Sequence, residues 1–155
     1  MRRTFALAVA AAALLAGCQT KAPFDPEDPA VVAALESHLQ TAMEGAARVD
    51  AAQVLGFADD DMTFITGDVM LSGRDTIRAG FEDTYSGLAS QQQTLLEKRV
   101  RVLSPDVALV LATGEGTYTD KAGWTSEPVG LAITIVFVRE NGVWRAVHAH
   151  QSIAD

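Results

Sequence analysis

The sequence predicts an α+β domain, with N-terminal helices packed in a curved antiparallel β-sheet. Three observations carry this. Apolar residues recur at three and four in the first half of the chain, the period of an amphipathic helix. The second half holds four long strand-like runs separated by short turns. Glycines and a proline fall inside those runs, where a sheet can curl. Helices first and strands after them is the α+β order.

Residues 1–17 stand apart from that domain. Arg2 and Arg3 form a short positive region, and Phe5 to Ala16 are uncharged and mostly apolar. A helix needs about 20 apolar residues to cross a bilayer, so this run is too short for a permanent span and reads as a secretory signal peptide. Leu15-Ala16-Gly17-Cys18 closes it and resembles the bacterial lipobox. That resemblance implies cleavage before Cys18 and lipidation of Cys18 as the first mature residue. Gln19, rather than an aspartate, follows, which the resemblance links to outer-membrane sorting. The expectation is a lipid-anchored protein of the bacterial cell envelope, at the outer membrane and facing the periplasm.

Removing the signal leaves 138 residues, enough for one domain with a real core. It also leaves ten basic residues against twenty acidic ones. So acidic a surface argues against nucleic acid and against electrostatic attraction to anionic lipid. Attachment to the membrane then falls to the acyl chains, each buried CH₂ contributing about 0.8 kcal/mol. With Cys18 lipidated, no thiol remains for a disulfide, a catalytic cysteine or a cysteine-based zinc site. No cofactor and no metal are expected.

Residues 18–28 read as the lipidated cysteine and a polar tether with Pro23 and Pro26, and residues 29–155 as the domain. Asp28-Pro29 is a helix start, an N-cap acid followed by proline at the first position. Val32, Leu35, Leu39, Ala42 and Ala46 then form one stripe on a helix of roughly 30 to 47. A short helix follows Asp50 and stops at Gly56. Met62 to Thr66 reads as a strand that turns through Thr66-Gly67-Asp68 into Val69-Met70-Leu71. Ser72 and Asp75 have the spacing of a capping box, and the helix they open puts Ile77, Phe81, Tyr85 and Leu88 on one face. The four strand runs are Gln92–Leu103, Val107–Thr119, Trp124–Val138 and Val143–Ser152. Asn141-Gly142 between the last two is the strongest two-residue hairpin signal in the chain.

Period-two alternation divides the strands into two faces. Val107, Leu109 and Leu111 group with Leu131, Ile133, Ile135, Phe137, Val143 and Val147 as the bulky face, expected to be concave and to cover the first helix. Ala108, Val110, Ala112, Ala132, Thr134, Val136, Trp144, Ala146, His148 and His150 form the other face. A sheet apolar on both sides is covered on both sides, and a second copy of the chain is the simplest cover. Trp144, His148 and His150 are therefore interface candidates of a homodimer.

The order of elements and two motifs are similar to the nuclear transport factor 2-like superfamily in its SnoaL-like branch. The first motif is Phe57-Ala58-Asp59-Asp60-Asp61-Met62-Thr63-Phe64 with Ser72-Gly73-Arg74-Asp75-Thr76-Ile77-Arg78. The second, Asn141 to Ser152, resembles the closing strand of SnoaL-like proteins and of the calcium/calmodulin-dependent kinase II association domain. The resemblance covers roughly residues 30 to 154. It implies a cone, a long helix held in a curled sheet with a pocket at the open end, and commonly a dimer through the outer face of the sheet. The superfamily hosts isomerases, epoxide hydrolases, cyclases, ligand carriers and oligomerisation modules, so it implies no single activity. The association domain lines its pocket with arginines where Ile135 and Gln151 stand here, so its anion site is not expected. No aspartate matches the base of ketosteroid isomerase at a concave position.

Three residues are candidates for lining the pocket. Glu115 continues the face assigned as bulky, where a dry carboxylate would serve as an acid or base; the alternative is an acid leaning out at the sheet rim. Gln151 shares that face through Val147 and Ala149 and would orient a polar ligand, unless it is solvated near the C-terminus. Tyr85 offers a hydroxyl from its helix stripe, to a ligand or to a local core hydrogen bond. His148 and His150 share a face, but a metal needs at least a third ligand and none is evident beside them. Asp59-Asp60-Asp61 lacks the pattern of a calcium loop and reads as a solvated turn. Two functions follow. One is an envelope-anchored domain that binds a small apolar or amphipathic molecule, or a protein partner, without chemistry. The other is an isomerase or hydrolase using a carboxylate such as Glu115 with a tyrosine or glutamine as orienter.

Overall fold

A computed structural model describes residues 25–154. The signal segment, Cys18 and most of the tether lie outside the described residues. Helix α1 runs Pro29–Ala47 and the single turn α2 covers Ala51–Val54. Strands β1 (Ala58–Thr66) and β2 (Val69–Ser72) precede helix α3 (Arg74–Tyr85). Strands β3 (Leu88–Ser104), β4 (Val107–Asp120), β5 (Val129–Glu140) and β6 (Val143–Ile153) complete the chain.

The local chemistry follows the sequence closely at the helix starts. The Asp28 carboxylate accepts from the backbone N–H of Ala30 at 2.9 Å and of Val31 at 3.4 Å, with Pro29 in the first turn. Asp50 caps α2 by accepting from the Gln53 N–H at 3.0 Å. The expected capping box of α3 does not form. Its N-cap is Gly73, at φ 85°, with no side-chain cap. Asp75 instead sits in the first turn, where its carboxylate favours the helix N-terminus and pairs with Arg78 at 2.7 Å.

The six strands form one sheet in the order β2-β1-β6-β5-β4-β3. β3 to β6 are an antiparallel meander, and β1 joins β6 in parallel, which brings the first half of the chain against its last strand. Asn141 and Gly142 both take positive φ, 51° and 82°, as a two-residue hairpin turn needs. The sheet curls because β3 carries extra residues. Leu96 and Leu103 are each skipped by the pairing with β4, and they stand 65% and 50% exposed on this edge strand. Each such bulge bends its strand and raises the local twist.

α1 lies in the hollow of the sheet. Val31, Leu35 and Leu39 meet Ala108, Val110, Ile135, Phe137 and Ala146, and α3 adds Ile77 from the β1 side. Leu35, Ile77, Val110 and Phe137 are fully enclosed, each burial contributing about 1.5–3 kcal/mol. Among the described residues this core runs from Val31 to Ala149 and joins both longer helices to the sheet.

The face assignment is correct for β5 and reversed for β4. Ala108 pairs with Phe137, Val110 with Ile135 and Ala112 with Ile133, so the small residues of β4 face α1 beside the large residues of β5. A helix seated close to the sheet needs that alternation of small and large across neighbouring strands. Leu109 and Leu111 are on the outer face, half-buried, and Val107 belongs with them.

Candidate functional site

A partly open cavity of about 100 Å³ lies in the hollow beyond the core. Its wall comes from the C-terminal half of α1 (Leu39, Ala42, Met43, Ala46), from α2 and its exit (Val54, Leu55, Phe57), and from the last turns of α3 (Phe81, Tyr85). The sheet supplies Met62, Phe64, Gln93, Leu95, Leu131, Ile133, Ile135, Ala149 and Gln151. These positions put the cavity at the end of the cone where β3 and β5 begin and β6 ends.

The aromatic rings form a chain along one side. Phe64 and Phe81 lie 5.4 Å apart by ring centroid, and Phe81 and Tyr85 5.7 Å, both tilted. Tilted contacts at such distances are favourable aromatic arrangements. The polar part of the wall is small. It consists of the Tyr85 hydroxyl and the amides of Gln93 and Gln151, on three different elements. Among the described residues no fully enclosed side-chain polar atom is left without a partner, so these groups are not stranded in a dry core.

Burial pushes the Tyr85 phenol up to about 12, with the negative charge of Asp50 acting in the same direction. At neutral pH it is a hydrogen-bond donor with no charge. His38 stands on α1 between Phe57, at 5.2 Å, and Phe137, stacked at 5.9 Å. Burial, and secondarily the charge of Arg145, lower its pKa, so the ring is neutral above pH 6.5. It does not line the cavity.

The candidate residues separate as follows. Tyr85 and Gln151 are in the cavity wall. Glu115 is not: it pairs with Thr94 and Gly130, shares the outer face with Leu109 and Leu111, and is exposed. The reversed face of β4 is the cause. Trp144 is a core residue, 7% exposed, with the Arg139 guanidinium 5.2 Å from its ring centre, and is not on the outer face. His148 and His150 do lie on that face. Thr63 Oγ1 is 2.7 Å from His148 Nδ1, a hydrogen bond between β1 and β6, and His150 is exposed. Among the described residues no three His, Cys, Asp or Glu side chains come together as a metal site. The Asp59–Asp61 run opens β1, with Asp60 paired to Arg74 at 2.5 Å.

Sequence reasoning missed Gln93. The glutamine run Gln91-Gln92-Gln93 is polar on both faces, and only the pairing of Gln93 with Gly116 shows which one turns inward.

The profile of the SnoaL-like domain matches residues 33–155. The chain belongs to the SnoaL-like domain family. No curated protein sequence matches this SnoaL-like chain. Solved structures do. A nuclear transport factor 2-like superfamily protein from Salmonella enterica serovar Typhimurium is 16% identical at a TM-score of 0.73, over 82% of this chain and 93% of that one. A ketosteroid isomerase-like protein from Erwinia carotovora is 20% identical at 0.68, over 85% and 99%. The hexachlorocyclohexane dehydrochlorinase LinA-type3 of Novosphingobium barchaimii is 12% identical at 0.71, over 81% and 87%. At these identities the likeness is one of fold, and the curved unclosed sheet around α1 is the nuclear transport factor 2-like cone.

Proposed function

We propose that this protein is an envelope lipoprotein whose SnoaL-like domain binds a small apolar or amphipathic molecule without transforming it. The composition of the cavity wall carries the reading. Fifteen of its eighteen side chains are apolar, and the other three are one tyrosine and two glutamines. General acid–base catalysis uses a group that changes protonation near the working pH. Glutamines do not titrate, and Tyr85 stays protonated to about pH 12. Such a wall suits an apolar body with one or two hydrogen-bonding groups.

The isomerase or hydrolase reading rested on Glu115, which points away from the cavity. The ketosteroid isomerase-like protein and the dehydrochlorinase share the fold with this chain, and a fold alone does not transfer an activity.

Two further parts belong to the proposal. Cys18 anchors the domain to the outer membrane on its periplasmic side. The half-buried outer face, with Leu109, Leu111, Ala132, Thr134 and Val136, is the contact of a homodimer.

Native mass spectrometry of the chain from Gln19 to Asp155, purified gently from cells, tests the binding reading. A reproducible extra mass per domain is the expected result. An empty protein that also fails to take up any apolar probe would overturn it. Fractionating cells that carry Cys18→Ala tests the anchor, which predicts release from the membrane fraction.

A further inference from the structure

Tyr118 and Trp124 stand out on the surface. Trp124 is 57% exposed and Tyr118 39%, and their rings meet edge to face at 5.8 Å. They belong to the end of β4 and to the loop that leads into β5.

Tyr118 lies on the face of the sheet that lines the cavity, and the Trp124 ring meets it from the loop. Gln93, a cavity residue, pairs with Gly116, and Gln91 pairs with Tyr118 with no irregularity between. Residues two apart on a strand share a face, so Tyr118 is the next side chain past Gly116, about 7 Å along. Gly116 itself offers no side chain. A Cβ built there would lie 3.1 Å from the Gln92 carbonyl oxygen, 3.5 Å from Cγ of Gln93 and 3.7 Å from Cδ2 of Leu131, the last two belonging to cavity residues. Gly116 is thus flanked by two cavity residues, Gln93 and Leu131, and β4 itself places no side chain between them and Tyr118.

The loop holding Trp124 is built to keep it in place. The Asp120 carboxylate accepts from the N–H of Ala122 at 2.8 Å and of Trp124 at 2.9 Å, and the Asp120 N–H donates to the Trp124 carbonyl at 2.9 Å. Ser126, buried, accepts from the Tyr118 N–H through its hydroxyl at 3.2 Å and donates its own N–H to the Tyr118 carbonyl at 3.0 Å. The Lys121 N–H donates to the Gly87 carbonyl at 3.1 Å, pinning the loop to the turn that follows Tyr85. An aromatic ring held out in water by a fixed backbone is preorganised to receive a flat partner.

Resting on the binding function proposed above, we infer that Tyr118 and Trp124 are the outer half of the ligand site. The ligand is then a flat, ring-bearing, amphipathic molecule longer than the cavity. The size of the cavity supports this, since a void of about 150 Å³ takes a single benzene ring, and this one is about 100 Å³. A molecule of two or three rings exceeds that space, and one that extends along β4 past Gly116 meets the aromatic pair.

Two probes test the inference on the chain from Gln19 to Asp155, which spans the core from Val31 to Ala149. N-phenyl-1-naphthylamine, three rings, is titrated by its own fluorescence, and benzene, one ring, by NMR. Wild type should bind both. Trp124→Ala and Tyr118→Ala should each weaken N-phenyl-1-naphthylamine by about tenfold and leave benzene unchanged, with Trp124→Phe keeping most of the affinity. Equal affinity of wild type and Trp124→Ala for the long probe overturns the inference and leaves cavity binding standing. Parallel loss of both probes also overturns it, since Trp124 would then only support the fold. Failure of wild type to bind either probe overturns the binding function itself. A blue shift of Trp124 emission, read in a Trp144→Phe background, on adding vesicles of phosphatidylethanolamine and phosphatidylglycerol without probe would assign the pair to the membrane surface instead.

Discussion

Gly114 packs directly under the backbone of Thr94: a Cβ on Gly114 would stand 2.4 Å from the Thr94 carbonyl oxygen. This close approach sits beside the Leu96 bulge and lets Leu95 turn into the cavity wall. Gly114→Ala should therefore destabilise the domain by about 1–3 kcal/mol, by forcing β3 and β4 apart. Gly87→Ala is the control, because it has open space around it and no left-handed φ. It should be neutral or gain up to about 1 kcal/mol. Urea denaturation of the two variants reads the difference.

Tyr85 gives the stability a marked decline at high pH. The unfolded phenol ionises near pH 10, and the folded one not until about 12 because it is buried. Between those values the unfolded state has lost its proton and the folded state has not, so stability present below pH 10 is lost as pH rises toward 12. Tyr85→Phe should flatten that part of the profile. Thermal melting from pH 9 to 11.5 measures it, as the wild-type slope minus the variant's.

His38 acts at the other end of the scale. Its folded pKa is lowered by burial first and Arg145 second, so an unfolded chain takes up the proton before the folded one does. The stabilisation is present above pH 6.5 and is lost as pH falls below it. His38→Gln should show a shallower decline in melting temperature between pH 7 and pH 5 than wild type.

Filling the cavity should separate binding from folding. Ala149 is 3% exposed and forms part of the wall. Ala149→Leu should abolish uptake of benzene, followed by NMR, while moving the unfolding free energy by no more than about 2 kcal/mol either way.

The proposed homodimer uses the outer face of the sheet. Val136 pairs with Leu109 on one side and His148 on the other, at the centre of that face. Val136→Glu should yield a monomer on a sizing column with light scattering, its circular dichroism unchanged. A mass identical to wild type would overturn the proposed dimer.

Much of the fold was legible because its signals are local. Asp28-Pro29 caps α1 whatever surrounds it, and Asn141-Gly142 can take positive φ in any hairpin. The apolar stripe of α1 and the strand runs needed only their period. The Ser72–Asp75 spacing misled because Gly73 took the cap position at φ 85°, a conformation open to glycine and costly for serine. The start of the third strand run at Trp124 failed, and β5 begins at Val129, because Asp120 folds the stretch around Trp124 into a turn.

What the sequence by itself determined is the set of helices and strands, their order, and the α+β cone they compose. Tertiary structure alone decided which way each strand faces. Alternation has a period but no sign, and one inserted residue reverses it. In β6, Val147 is that residue: Ala146 pairs with Phe137, while His148 pairs with Val136. The bulge lets Trp144 and Ala146 face the core before it, Ala149 and Gln151 face the cavity after it, and the two histidines turn outward. In β4 the sign was set by α1, which admits Ala108, Val110 and Ala112 beneath it and excludes the larger leucines. Glu115 followed its strand to the outer face, and the cavity was left to Tyr85, Gln93 and Gln151.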